Sequence, residues 1–320
     1  MAIERLKSPY FVANPNEVSA YLETPAVGST YTFTSIGQVG TVTGQMYRVH
    51  QFNAGQTGTL YFRTSGYVDV MLIAGGSPGG YGYYHVASAA DQQNTNYCGG
   101  GGGAGGLFIV YKYLVESSVG YSFNVGTAGI GIGLFSGNDT VFGAYTAIAG
   151  GRGGHYGGQG NAAGVTGGSG GGASYHYAYG SANPGLGVLT QGNMGGRCIG
   201  TGGAGGGAVG SIGFNSTSNV GGNGGNGVSV NFDGVIRPVC AGGGGGGWAT
   251  SAGGNGGLVD GIITGGTGGY SSGAAWVAFN GSNPTAFGCG GGGGGTNGAN
   301  GYGQYPGNGG PGVLIIRYPV

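Results

Sequence analysis

Lysine occurs at only two positions in this chain, Lys7 and Lys112, and charge of either sign is almost as scarce. Lysine, arginine, aspartate and glutamate make up 6 % of the 320 residues, and the formal net charge is zero. An average soluble domain carries about 25 %. This excludes the basic surface that nucleic acid needs and the polybasic segment that an anionic membrane needs. Neither lysine follows a glycine, so the phosphate loop, which places Gly-Lys before Ser or Thr, is absent. Calcium-binding nonapeptide repeats need an aspartate in every repeat. Beyond residue 120 the chain has only Asp139, Asp233 and Asp260.

Other shortages narrow the field further. The four cysteines, Cys98, Cys198, Cys240 and Cys289, stand beside glycine runs, with no CxxC pair and no metal-ligand spacing. They read as small buried thiols at the edges of glycine blocks, with disulfides left open for an extracellular setting. No apolar run reaches the roughly 18 residues of a membrane helix. MAIERLKSPYF lacks the apolar core of a signal peptide. Ten prolines and no Gly-X-Y period exclude collagen. The histidines are His50, His85, His155 and His176, and the few acidic residues are too dispersed to converge on them. The reading therefore holds no catalytic residue, no metal and no cofactor. GxGxxG strings abound, but at this glycine frequency chance supplies them. Asn138-Asp-Thr, Asn215-Ser-Thr and Asn280-Gly-Ser match the glycosylation pattern; without a signal peptide they read as coincidences in Asn-rich segments.

What the chain has is glycine, at 90 positions. CGGGGGAGG begins at Cys98, CIGTGGAGGG at Cys198, CAGGGGGGW at Cys240 and CGGGGGGT at Cys289. Such a composition suits a flexible linker. Three features oppose that reading: solvating residues are few, tyrosine occurs 22 times, and strand-like runs bound the glycine blocks. These runs are VDVMLIA (68–74), LFIVYKYL (107–114) and VLIIRY (313–318). A glycine costs roughly 0.5–1 kcal/mol of extra chain entropy relative to alanine. A net backbone hydrogen bond contributes about the same. The blocks must then be backbone-to-backbone lattices, and the polyproline-II conformation, which turns every N–H and C=O outward, suits them.

Glycine density changes along the chain: the first 66 residues hold 7 of the 90. Residues 1–66 read as a β-rich attachment module, with 1–28 an extended arm and strands at 29–35, 46–52 and 59–65. Residues 67–320 read as a glycine-rich domain. The fold class is mainly β and irregular, with almost no α-helix, because glycine at this density prevents helices. VDVMLIA and VLIIRY are expected in one sheet. YSFNVG (121–126) alternates, with Tyr121, Phe123 and Val125 on one side. DTVFGAYTAIAGG (139–151) reads as a hairpin. Segments 81–97, 173–194, 211–219, 228–238 and 270–287 are rich in aromatics, Asn and Ser and are expected as loops at the ends of glycine rods.

VDVMLIAGG, CGGGGGAGG, YSFNVGTAG, GNDTVFGAYTAIAGGRGG, GGSGGG and the closing GGPGVLIIRYP together resemble the glycine-rich domain of phage tail-fibre and other virion structural proteins. The resemblance covers 67–320. It is similar in principle to tail-fibre-tip adhesins that sandwich polyglycine-II helices and present variable loops for receptor recognition. It implies a virion protein made in the host cytoplasm, joined to other virion proteins through residues 1–66, and a homo-trimer by fibre symmetry.

Tyrosine and tryptophan give contact area at low rotamer cost, while Ser, Gly and Asn supply adaptable hydrogen bonds. The candidate receptor-binding residues are Tyr83, Tyr84, His85, Tyr175, His176, Tyr177, Tyr179, Trp276 and Phe279. Such a surface suits a host saccharide or an outer-membrane protein; the plainer reading has the same rings covering rods or filling subunit contacts. Trp248, directly after a glycine run, reads as packing. The leading function is receptor binding by an adhesin, not enzymatic. Alternatives are a purely structural virion component and, further off, a glycine-rod antifreeze or cell-wall protein.

Overall fold

The structure, a computed structural model, describes residues 21–22, 28–85, 95–133, 135–155, 162–176, 180–248, 250–272, 277–278, 280–296 and 304–320. Among these there is no helix. The strands, numbered in chain order, begin with β1 (Tyr21–Leu22), β2 (Ser29–Thr34), β3 (Met46–Asn53), β4 (Thr57–Thr64) and β5 (Gly66–Ile73). Next come β6 (Tyr83–His85), β7 (Thr95–Tyr97), β8 (Leu107–Val115), β9 (Gly120–Asn124), β10 (Thr140–Phe142) and β11 (Tyr145–Ala147). Four two-strand hairpins follow: β12 (Tyr175–His176) with β13 (Gly180–Ser181), β14 (Val228–Asn231) with β15 (Ile236–Val239), β16 (Leu258–Val259) with β17 (Ile262–Ile263), and β18 (Ser271–Ser272) with β19 (Val277–Ala278). The last strand is β20 (Val313–Pro319).

Two five-stranded sheets form a sandwich, one in the order β1-β4-β9-β10-β11 and the other β2-β3-β20-β5-β8. β5 and β20, the expected partners, pair antiparallel with Val70 opposite Ile316. Between the sheets lie Phe52, Leu60, Phe62, Leu72, Tyr121, Phe123, Phe142 and Leu314. In β9 the alternation places Tyr121 and Phe123 inward, as its sequence period dictates. The β20 sheet is covered on its other face too: Val49, Met71, Ile73, Val313 and Ile315 pack with Phe232, Val239, Cys240 and Ala104. Burial on both faces explains why β5 and β20 read as continuous apolar runs. His50 is buried in this sandwich, stacked on Tyr318 and within 2.9 Å of its hydroxyl. The drop in charge-bearing, glycine-poor sequence at residue 66 falls at the junction of β4 and β5. Strands on both sides of it share both sheets, since β3 pairs with β20 and β4 with β9.

The glycine blocks are not strands. Their hydrogen bonds radiate. In segment 98–106, the N–H groups of Gly99, Gly102 and Gly105 reach the carbonyls of Gly294, Gly291 and Gly288. Those of Gly100, Gly103 and Gly106 reach Gly154, Gly151 and Ile148, and those of Gly101 and Ala104 reach Ala204 and Gly207. The carbonyls follow the same three-residue period. Gly99 and Gly102 accept from Gly246 and Gly243; Gly100 and Gly103 from Gly80 and Ser77; Gly101 and Ala104 from Gly172 and Ser169. Each segment is thus a rod with three residues per repeat, and this one is bonded laterally to six others. Segments 202–209, 240–247 and 289–296 are embedded in the same way.

Close approach explains the glycine. A Cβ on Gly101 would stand 2.0 Å from Gly243 O, on Gly206 2.0 Å from Gly102 O, and on Gly243 2.0 Å from Gly291 O. Backbone of a neighbouring rod already occupies the space that a side chain needs. At the surface of the array every third residue turns outward. Exposed columns run Asn183, Leu186, Leu189; Ile212, Asn215, Ser218; and Ala252, Asn255, Leu258. Side-chain amides close the array's edge: Asn223 Oδ1 accepts from Asn255 N at 2.8 Å, and Asn226 Oδ1 from Leu258 N at 3.1 Å.

Three expected loops are something else, in whole or in part: within 173–194, residues 183–188 are a rod in which Gly185 N donates to Gly171 O and Asn183 O accepts from Gly164 N. Segment 228–238 is the β14–β15 hairpin, held against the sandwich because Phe232 and Val239 have apolar partners there. Segment 211–216 is a rod of the array, bonded through Ser211, Gly213 and Phe214 to its neighbours.

Candidate functional site

The direction of each rod fixes where its ends lie. Rod 98–106 runs into β8. Rods 74–80, 148–154 and 240–247 leave β5, β11 and β15 and run antiparallel to it, as their registers with Gly99–Gly106 show. Each therefore has one end at the sandwich and the other at a common far end. The hairpins β6–β7, β12–β13 and β18–β19 all stand at that far end, where rod segments 74–80, 171–174 and 264–269 lead into them.

The far end is bound together by short-range polar contacts. Gly82 and Gln304 exchange backbone hydrogen bonds of 3.2 and 2.9 Å. The rings of Tyr81 and Tyr305 meet edge to face at 5.6 Å. Trp248 donates its backbone N–H to Asn219 O at 2.9 Å, and Thr201 Oγ1 donates to Asn219 Oδ1 at 2.6 Å. Ser174 Oγ donates to Cys98 O at 2.9 Å. Among the described residues, Trp248 Nε1, Thr296 Oγ1 and His155 Nδ1 are buried without a hydrogen-bond partner. Burial, with Arg152 nearby, lowers the His155 pKa to about 4, so its imidazole is neutral at physiological pH.

Of the sequence candidates, Tyr83, Tyr84 and His85 form β6, and Tyr175 and His176 form β12. The fold brings these two groups to the same end. Tyr175 is half-buried. Tyr177, Tyr179, Trp276 and Phe279 lie outside the described residues. The far end also gathers Tyr81, Tyr305 and Tyr270, which the sequence candidates omit. Their signal was available: each sits within two residues of a glycine rod's end.

The four cysteines are free and buried. Burial pushes every thiol pKa up, that of Cys289 to about 11, which suppresses the nucleophilic thiolate. Among the described residues, no three His, Cys, Asp or Glu side chains gather as a metal site. No helix of the described residues is long and apolar enough to cross a membrane.

The sequence profile of the glycine-rich domain matches residues 53–319. The chain therefore belongs to the glycine-rich domain family. No curated protein matches the chain.

Proposed function

We propose that this protein is a receptor-binding adhesin of a phage tail fibre or tail tip. Its rods are polyglycine-II helices packed as a sandwich, and its far end faces the host cell. One observation carries this reading: aromatic-rich segments distant in sequence converge on one end of a hydrogen-bonded array, opposite the β-sandwich. Recognition generally sits on loops held by a rigid scaffold. Tyr83, Tyr84, His85, Tyr175 and His176, with the sequence-adjacent Tyr177, Tyr179, Trp276 and Phe279, contact a host saccharide or outer-membrane protein. Residues 1–66 join the protein to other virion components, and the fibre is a trimer.

The test is binding of the labelled, folded protein to a panel of bacterial cells, with purified surface polysaccharide as competitor. Saturable binding that is lost when Tyr175, Tyr177 and Tyr179 become alanine supports the adhesin. A second reading, a structural virion component, is favoured by the exposed Leu186, Leu189, Met194 and Ile212 on one flank, which suit packing against another subunit. Failure to bind any cell, together with assembly defects in variants of that flank, would select it.

A further inference from the structure

We propose that Asn255 is a modification site, where the native protein deamidates spontaneously to aspartate and isoaspartate. Among the described residues, asparagine precedes glycine at 223–224, 226–227, 255–256, 280–281 and 308–309. A glycine in second place has no Cβ to hinder attack by its own nitrogen on the preceding side chain. The array restrains four of these pairs and leaves the fifth open.

The reaction needs two atoms to meet. The Gly256 nitrogen, after giving its proton to hydroxide, attacks Asn255 Cγ. A C–N bond forms, the Cγ–Nδ2 bond breaks, and ammonia leaves with a proton taken from water. One water then opens the resulting succinimide at either carbonyl, to aspartate or isoaspartate. Nothing is oxidised or reduced, and water is the only co-reactant.

In the other four pairs both reacting groups are gripped by a neighbouring segment. Asn223 Oδ1 accepts from Asn255 N at 2.8 Å while Gly224 N donates to Asn255 O at 2.9 Å. Asn226 and Gly227 hold Leu258 in the same two-point grip, at 3.1 and 3.0 Å. Asn280 and Gly281 hold Tyr305, at 3.0 and 2.9 Å. Asn308 Oδ1 accepts from Gly131 N at 2.7 Å, and Gly309 N donates to Gly129 O at 2.9 Å. Side chain and nitrogen turn towards each other only by breaking both bonds.

Asn255 and Gly256 grip nothing. Asn255 is exposed, and among the described residues neither its side chain nor Gly256 N makes a hydrogen bond. Asn255 is instead the residue held by Asn223 and Gly224, so the succession of grips ends on it. Closing the ring turns the Asn255–Gly256 peptide and gives up one lattice bond, Gly224 N to Asn255 O. Either product adds a negative charge to a chain whose formal net charge is zero. The isoaspartate also lengthens the backbone by one methylene, out of step with the three-residue repeat, which draws Leu258 N away from Asn226 Oδ1.

The test incubates the full chain at mildly alkaline pH in heavy-oxygen water, once native and once in denaturant. Digests taken at intervals are read by mass spectrometry, with the peptide of Asn255 resolved from Asn297-Gly298 and Asn300-Gly301, which lie outside the described residues. In denaturant all five pairs should react at similar rates. In the native chain Asn255 should react roughly ten- to a hundredfold faster than Asn223, Asn226, Asn280 and Asn308, the factor set by two extra hydrogen bonds to break. The proposal is overturned if any of those four reacts as fast as Asn255 in the native chain. It is equally overturned if native Asn255 stays intact over the time in which the denatured chain reacts.

Discussion

Arg317 and Asp69 face each other across the β20–β5 ladder, and their side chains pair at 2.8 Å with the arginine fully buried. The guanidinium also donates to the carbonyls of Phe232 and Val39, and the Phe232 ring covers it at 4.2 Å. Asp69 accepts in turn from Lys112 N at 2.9 Å, at a bulge where Lys112 has a φ of 54°. One cation thus ties two interior strands of one sheet, the loop around Val39 and the β14–β15 hairpin together. Burial raises the Asp69 pKa, with Arg317 opposing that rise.

Removing one partner of this pair leaves a buried charge alone. Arg317→Ala or Asp69→Ala is expected to cost about 3–5 kcal/mol in denaturant unfolding. The joint replacement Arg317→Met, Asp69→Leu should cost less than either single change. A joint loss equal to the sum of the singles would refute the pairing.

Rod interiors should reject a single methyl. Gly206→Ala forces a Cβ to within 2.0 Å of Gly102 O, so the rods must part and lose several lattice bonds, each worth about 0.5–1.5 kcal/mol. The reverse change at Ala204, fully buried in the same rod, removes a methyl and costs about 1 kcal/mol. Chemical denaturation of the two variants should therefore show Gly206→Ala as much the worse; equal losses would mean the array is loose.

Acid should weaken the sandwich before the carboxylates titrate. Burial, with Arg48 nearby, lowers the His50 pKa from its ordinary 6.5 to about 4. Between these values the unfolded chain binds the proton and the native one does not, so stability falls as pH drops from 6.5 towards 4. The loss is on the order of 3 kcal/mol. His155 acts in the same sense, while Asp69, with its raised pKa, acts in the opposite one as pH falls through that raised value towards the ordinary carboxylate range. His50→Gln should flatten part of the pH–stability curve, and an unchanged slope would show that His50 is not held neutral.

The asparagine caps should matter to solubility more than to folding. Asn223→Ala and Asn226→Ala uncover the N–H groups of Asn255 and Leu258 at the edge of the array. Each should cost about 1 kcal/mol. Unpaired backbone at an edge invites a second chain. Sedimentation analysis should show stronger self-association than the parent; parent-like behaviour would mean that solvent satisfies these groups.

The thiols should be silent in the native state. Cys98, Cys198, Cys240 and Cys289 are all fully buried. A thiol-reactive chromogen should label them only at the rate of unfolding, and labelling at the rate of an exposed cysteine would contradict their placement.

Much of this was legible in the residues. β5, β9, the β10–β11 hairpin and β20 announce themselves by β-branched runs or strict alternation, and glycine's scarcity of side chains forces backbone to bond with backbone. The expected pairing of 68–74 with 313–318 follows from both runs being apolar on both faces. Other features were not legible. Segment 211–216 lacks consecutive glycines, yet only every third of its residues must be small-sided to keep the lattice, so Ile212 and Asn215 simply turn outward. Segment 228–238 looked like a loop because Ser229, Asn231, Asp233 and Gly234 break up its apolar residues, and the partner that buries Phe232 lies in β5, β20 and the Arg317 side chain. The far end was legible by composition only. Which of its aromatics meet depends on the order in which rods stack, and no local pattern encodes that order.

The six-way bonding of the rods has a mechanical consequence. In a β-sandwich, hydrogen bonds run within each sheet, and the plane between sheets is held by side chains alone, so the sandwich has a direction along which it shears. An array bonded to neighbours on every side has no such plane. Sideways load applied at the far end meets backbone hydrogen bonds whichever way it pushes, and the β-sandwich is then the weaker part of the molecule under force.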